Sequence, residues 1–427
     1  MIKIVVGKYF IYLTLIALLA LITCRPSADP LMEKPANSAR PCQLEIQTIG
    51  DSRLFCVMAR YPMQLFDKNN FRQSKPLYIL SAAGLNYLIH AIFYTFGLNS
   101  GLIKGYITEY LSYIVLNFSF LFLAIILFDR LFVPSKTISF TVVALSIFLL
   151  VNDVAIVYLW YPHTQLLNVL LSIFLITISR KILEDPTLFL KHLIPISILS
   201  GILCTLYGSF IIALPVIIIS YLVSCYINRN NNTHVQIGLL SIVARITSMA
   251  ALVILPTLVW FIIITNVTGN YYNPEFSNSR RFIWVLDVLK EGGVKKLVLK
   301  FLYDVTPWYI KPLSTVSWKY LLLLITSLSI FHVMDIKIRN ISYLNKLNIL
   351  ASIICIVPIM SFFYFQIRHP YYAQERFFWN VVPPILVIIG ALLSEITPRL
   401  NHKKRFLINI AFFLTAIAPL AVNQKVF

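Results

Sequence analysis

An all-α fold, a polytopic bundle of transmembrane helices, is predicted by three features of this 427-residue chain. Hydrophobic residues make up 59 % of it, and mean hydropathy is +0.80. Only 12 % of residues are charged, where a soluble domain carries about 25 %. Apolar stretches of roughly 17 residues or more recur along the chain, each long enough to cross a hydrocarbon core about 30 Å thick. They are rich in Leu, Ile, Phe and Ser and lack the two-residue alternation of a membrane barrel.

The spans are expected at 8–24, 107–128, 137–157, 165–179, 192–206, 209–226, 237–265, 319–333, 348–366, 380–395 and 406–422. Residues 1–24 have the outline of a signal peptide. Thr23 before Cys24 is a poor lipoprotein cleavage site, however, and the spans behind it make this an uncleaved first helix. The segment 77–98 is the ambiguous one. It is apolar enough to span, but Asn86, His90 and Tyr94 recur every four residues, as on a helix lying in the interface or packed on others.

Charge decides the topology. If 77–98 stays on one side and the N-terminus is cytoplasmic, the connections 128–136, 179–192, 228–234, 335–346 and 397–405 all fall inside, and each carries basic residues. The connections around 153–164 and 207–208 carry no Lys or Arg. Residues 25–106, 266–318 and 367–379 are then outward, giving about eleven spans in one domain over 1–427. Two outward loops, 25–106 and 266–318, are long, with amphipathic interfacial helices expected in the first. In the second, Trp284, Trp308 and Tyr309 are expected as interfacial anchors.

The net charge of +19 accompanies no nucleic-acid-binding motif. It fits basic loops beside lipid, which either face phosphate head groups or anionic polyprenyl phosphates or are plain topology signals. Six scattered cysteines form no CxxC or His/Cys metal spacing. Cys204, Cys225 and Cys355 read as packing residues, and Cys42 and Cys56 share the first outward loop, where a disulfide is open to them. No cofactor is expected, and no second acid beside Asp51 supports a divalent metal.

Three groups carry chemistry. Asp51 follows Ile49-Gly50 and opens "DSRLFCVMARYPMQL", which reads as an amphipathic helix with Leu54, Val57 and Met58 on one face. A carboxylate there is either an N-cap or an outward general base. The last outward loop, "FQIRHPYYAQERFFWNVVPP", places Arg368, His369, Tyr371, Tyr372, Glu375 and Arg376 close together. They form an interfacial belt or a phosphate site, since the guanidinium fork matches phosphate oxygens. In "NDVAIVYLWYPHTQLLN", Asp153 and His163 border an outward connection, with His163 either capping a helix or binding sugar hydroxyls.

The order of these features carries a resemblance. An acid after the first span, a short amphipathic helix, the basic-aromatic patch Lys68, Phe71 and Arg72, then "KPLYIL" and an interfacial helix ending in "FGLNSG" follow one another. This order resembles the GT-C class of membrane glycosyltransferases, particularly its protein O-mannosyltransferase and aminoarabinose transferase branch. "Gln-Glu-Arg-Phe" at 374–377 is loosely similar to a family motif before a proline-containing final span. The departures are Ser52 and Arg53 beside the acid, and Lys75-Pro76 in place of a double proline.

The resemblance implies transfer of a sugar from a polyprenyl-phosphate carrier to a lipid, glycan or protein acceptor at the extracytoplasmic face. Asp51 would be the general base. Arg376 with Arg368 would hold the carrier phosphate, and His369, Tyr372, Glu375, His163 and Arg72 would assist. The membrane would be the bacterial inner or plasma membrane, or the endoplasmic reticulum in a eukaryote. The rival readings are a transporter or lipid-linked sugar flippase, which calls for ionisable groups or broken helices at mid-membrane, and a polysaccharide polymerase or ligase.

Overall fold

The computed structural model describes residues 2–23, 50–68, 70, 72–97, 107–132, 140–152, 155, 158–184, 189–230, 238–271, 282–334, 336, 340–366 and 378–401, with a few positions beyond. The described residues fold as an all-α bundle. Its helices are α1 (Ile2–Thr23), α2 (Gly50–Arg60), α3 (Pro76–Thr95), α4 (Ile107–Phe132), α5 (Phe140–Leu150), α6 (Leu167–Glu184) and α7 (Ile194–Leu206). They continue with α8 (Ala213–Asn230), α9 (Leu239–Thr268), α10 (Ile283–Lys300), α11 (Thr306–Val333), α12 (Tyr343–Gln366) and α13 (Val382–Ile396).

Eight helical segments among the described residues are long and apolar enough to cross a membrane, and Tyr9–Leu21 and Lys191–Leu206 are shorter apolar helices. A chain with this many such helices is an integral, multi-pass membrane protein. The eight include α3, the segment the charge argument kept on one side. The expected span 137–157 is represented by α5, which is 11 residues long. At about 1.5 Å per residue that is roughly half the hydrocarbon thickness. Most of 406–422 lies outside the described residues. Arg245, met in the sequence as a charge inside the segment 237–265, sits within α9, where its guanidinium donates to the Tyr221 hydroxyl at 3.1 Å.

The stretch 266–318 is helical for most of its described length. The combined run Ile283–Val333 is 51 residues long, broken at Gly292 and at Gly293, whose φ is +63°. Only glycine adopts that conformation readily. Two of the three interfacial anchors expected there, Trp284 and Tyr309, belong to the core instead, and Trp308 is half-buried against it. Trp284 is 2 % exposed and donates its indole N–H to the Phe365 carbonyl at 3.0 Å. Tyr309 is buried and donates to the Met360 carbonyl at 3.1 Å. Each has found a backbone acceptor for its polar tip, which is what permits such a ring to be buried.

Small residues set the helix spacing. A Cβ on Gly201 would lie 2.6 Å from the Val253 carbonyl oxygen and 2.8 Å from Pro256 Cδ, so α7 and α9 approach backbone to backbone. Ser179 and Ser220 share a hydrogen bond of 2.8 Å between α6 and α8.

Hydrogen bonds sort the helix termini into two ends. At one, Arg180 near the end of α6 donates to the Leu131 carbonyl at 2.8 Å, and Asn348 near the start of α12 donates to the same oxygen at 2.7 Å. At the other gather α2, the start of α3, the start of α4 and the segment 158–166.

Candidate functional site

α2 begins at Gly50, so Asp51 lies in its first turn as its sequence position predicts. The Asp51 side chain lies outside the described set. The buried face of α2 differs from the expected one. Leu54 is 44 % exposed, whereas Phe55, Cys56, Met58 and Ala59 are buried. The reason is aromatic packing. Phe55 meets Tyr78 of α3 and Tyr113 of α4 edge-on, with ring centroids 5.4 and 5.8 Å away, and Tyr113 donates to the Phe55 carbonyl at 3.0 Å.

α4 holds the segment that carries His163. The Asn117 amide nitrogen is shared among the carbonyls of Tyr158, Leu159 and Tyr161 at 3.0, 3.2 and 2.9 Å, and Tyr110 donates to the Trp160 carbonyl at 2.6 Å. This places the His163 ring 6.2 Å from Phe55. His163 Nδ1 accepts from the backbone N–H of Gln165 at 3.2 Å, which makes it the cap of the short 3-10 turn Thr164–Leu166. Of the two roles open to His163 in the sequence, capping is the one the geometry fills. Burial raises the neighbouring Tyr161 hydroxyl above its ordinary value, with Tyr158 adding to the effect.

Two cations enter the same region from the connection between α2 and α3. That connection is knit by its own amides: Asn70 donates to the Gln64 carbonyl at 2.6 Å and Gln73 to the Asp67 carbonyl at 2.8 Å. Trp260 of α9 donates to the Gln73 carbonyl at 2.6 Å. Arg72 and Lys75 are each 8 % exposed. The Arg72 guanidinium lies 4.6 Å over the Phe55 ring, a cation–π contact worth about 2 kcal/mol when desolvated. Lys75 Nζ donates to Thr164 Oγ1 at 3.2 Å. Phe55 thus meets both Arg72 and His163, and Lys75 reaches Thr164, the residue after His163.

A second cluster adjoins the first. Arg60, closing α2, donates through Nε to Glu109 Oε1 at 2.6 Å, with the Glu109 side chain fully buried and that of Arg60 28 % exposed. Thr108 donates to Glu109 Oε2 at 3.2 Å and contacts His90 Nε2 at 2.9 Å. Beside this chain of contacts is an open cavity of about 350 Å³ lined by Arg60, Asn86, Tyr87 and His90. Asn86 is buried, and its Oδ1 has no partner among the described residues, a deficit that costs about 1–3 kcal/mol. The four-residue stripe noted in the sequence divides here: Asn86 is buried, His90 is half-buried and Tyr94 is 74 % exposed.

Arg368, His369, Tyr372, Glu375 and Arg376 lie outside the described residues, as do Asp153 and Cys42. Cys56 is a free, buried thiol. Among the described residues no three His, Cys, Asp or Glu side chains gather to hold a metal ion. Sequence reading missed Glu109 and Arg60. A carboxylate in the first turn of a long, mostly apolar helix was the available signal, because a charge at that position needs a partner. No protein-family model matches this chain, and neither does any curated protein or any solved structure.

Proposed function

We propose that the chain is a membrane glycosyltransferase that moves a sugar from a polyprenyl-phosphate carrier to an acceptor at the extracytoplasmic face, on a bundle of about eleven spans. The observation that carries this reading is the pair of buried cations, Arg72, stacked on Phe55 of the helix that Asp51 opens, and Lys75, which reaches Thr164. A guanidinium and an ammonium are the donors with which proteins hold the oxygens of a phosphate ester.

In the proposed step, an acceptor oxygen attacks the anomeric carbon while Asp51 takes its proton. The bond from the anomeric carbon to the phosphate oxygen breaks, and both electrons leave with the phosphate. Arg72 and Lys75, with Arg376 and Arg368 from the last outward loop, meet the charge that develops there. His369, Tyr372 and Glu375 would orient the sugar, and His163 supports the site by fixing the turn that carries Thr164.

The test is transfer from radiolabelled polyprenyl-phosphate-linked hexoses and pentoses in membranes containing the full chain. Wild type transfers label, and Asp51→Asn lowers the rate by about 10²–10⁴-fold, the usual worth of a general base. Undiminished transfer by Asp51→Asn would overturn the mechanism.

A further inference from the structure

The cavity between α2 and α3 has a hydrogen-bonding polarity that selects its ligand. The Thr108 hydroxyl gives its proton to Glu109 Oε2, so in its contact with His90 it accepts from Nε2. A neutral imidazole in that contact is the Nε2–H tautomer, whose Nδ1 is an acceptor. The second acceptor at this cavity is Asn86 Oδ1, buried at 3 % exposure and without a partner among the described residues. Both acceptors call for hydrogen-bond donors, of which a carboxylate has none and a phosphate has few beside its acceptor oxygens. The Arg60 charge, which would otherwise favour an anion, is already neutralised by Glu109 at 2.6 Å. An ammonium group is also a donor, but with Arg60 and Glu109 paired and no carboxylate lining the cavity, nothing there compensates the loss of its hydration. Hydroxyl groups satisfy all three conditions.

Two further observations define the ligand's shape. The cavity, at about 350 Å³, is at the small end of ligand pockets, sized for one small ring. Tyr87, 63 % exposed, offers an aromatic face to the apolar side of such a ring. Leu80, Leu88 and Ile92 are exposed along the same helix, so lipid can approach the cavity.

We infer that Arg60, Asn86, Tyr87 and His90 form a binding site for an uncharged, hydroxyl-rich ring such as a pyranose. The ring comes either free or as the headgroup of a lipid. Its use as the acceptor subsite rests on the transfer reading above, but the binding itself does not.

The experiment uses the full chain in lipid nanodiscs and reads ligand-induced thermal stabilisation. Three probes are compared: methyl hexopyranosides, a glycosylated lipid built into the disc, and inorganic phosphate. A saccharide probe stabilises the protein and phosphate does not. Stabilisation by the glycosylated lipid alone identifies a headgroup site, whereas stabilisation by the methyl glycosides shows that the ring suffices. Asn86→Leu removes an unsatisfied buried acceptor, so its ligand-free unfolding temperature is unchanged or higher. Its saccharide affinity falls about tenfold, the loss of one hydrogen bond.

Phosphate stabilising as well as saccharide would overturn the assignment. So would the absence of any saccharide effect, or an Asn86→Leu variant that is destabilised but binds normally. The two readings fail separately. Saccharide binding with undiminished Asp51→Asn transfer removes only the mechanism, and Asp51-dependent transfer without saccharide binding removes only this site.

Discussion

The two ends of the bundle use charge differently. At the end defined by Leu131, Arg180 and Asn348 both bond a carbonyl at the end of α4, and Arg180 also holds Glu184 at 2.8 Å. Glu395 likewise accepts from the Ser342 N–H at 2.9 Å and from Asn345 at 2.7 Å. These groups complete helix termini, which leave unpaired backbone groups by their nature. At the other end, charge goes beneath the surface. Glu109 is fully buried, Arg72 and Lys75 nearly so, and a cavity with an unsatisfied amide lies beside them. The first arrangement mainly secures helix termini, although it too buries a carboxylate, Asp129, which accepts from the Tyr12 hydroxyl at 2.8 Å. The second gathers buried charge beside a cavity and leaves the Asn86 amide oxygen without a partner among the described residues.

That contrast can be broken most forcefully at Arg60. Arg60→Met leaves the Glu109 carboxylate buried without its countercharge, which should destabilise the protein by about 3–5 kcal/mol in denaturant unfolding in detergent. Glu109→Gln strands a guanidinium that water already reaches, so its cost is smaller, about 1.5–3 kcal/mol. Equal costs would mean that the pair is solvated and that the two ends do not differ. At the opposite end, Arg180→Ala removes bonds to a carbonyl and to a partly exposed glutamate, and about 1 kcal/mol is expected.

The smallest effect is a pH dependence at Cys56. Burial pushes this thiol from 9.0 up to about 12, with Glu109 adding to the shift and Arg60 opposing it. The folded state therefore holds the proton more tightly than the unfolded chain does. Its contribution to stability is complete below pH 9 and is lost as pH rises from there toward about 12. Near pH 9 the loss is on the order of a few tenths of a kcal/mol. Unfolding curves of wild type and Cys56→Ala should diverge only above that pH, and an identical pH dependence would show that the thiol meets water.

Much of this arrangement was legible in the chain. Apolar runs located the helices because a membrane span must satisfy its own backbone, and Gly50 with Asp51 marked the start of α2. The buried face of α2 was not legible. Hydropathy ranks Leu54 and Val57 with Phe55 and cannot register that Tyr78 and Tyr113 converge on Phe55 from helices far along the chain. Lys75 looked like a departure from a proline motif, yet its ammonium is carried inward to Thr164, 89 positions away. Trp284 looked like a surface anchor for the same reason. Its partner, the Phe365 carbonyl, is 81 residues distant, and composition holds no record of such pairings.

Gly201 illustrates how position and purpose separate in a protein like this. Even a methyl group there meets the Val253 carbonyl and Pro256 of the neighbouring helix, so every other amino acid must prise α7 from α9. A survey of tolerated substitutions would rank this glycine among the least replaceable residues of the chain, beside any that handle substrate. Its intolerance measures the distance between two helices. Asn86 should prove its counterpart, a residue whose replacement costs the fold nothing and is felt only by the saccharide proposed to bind there.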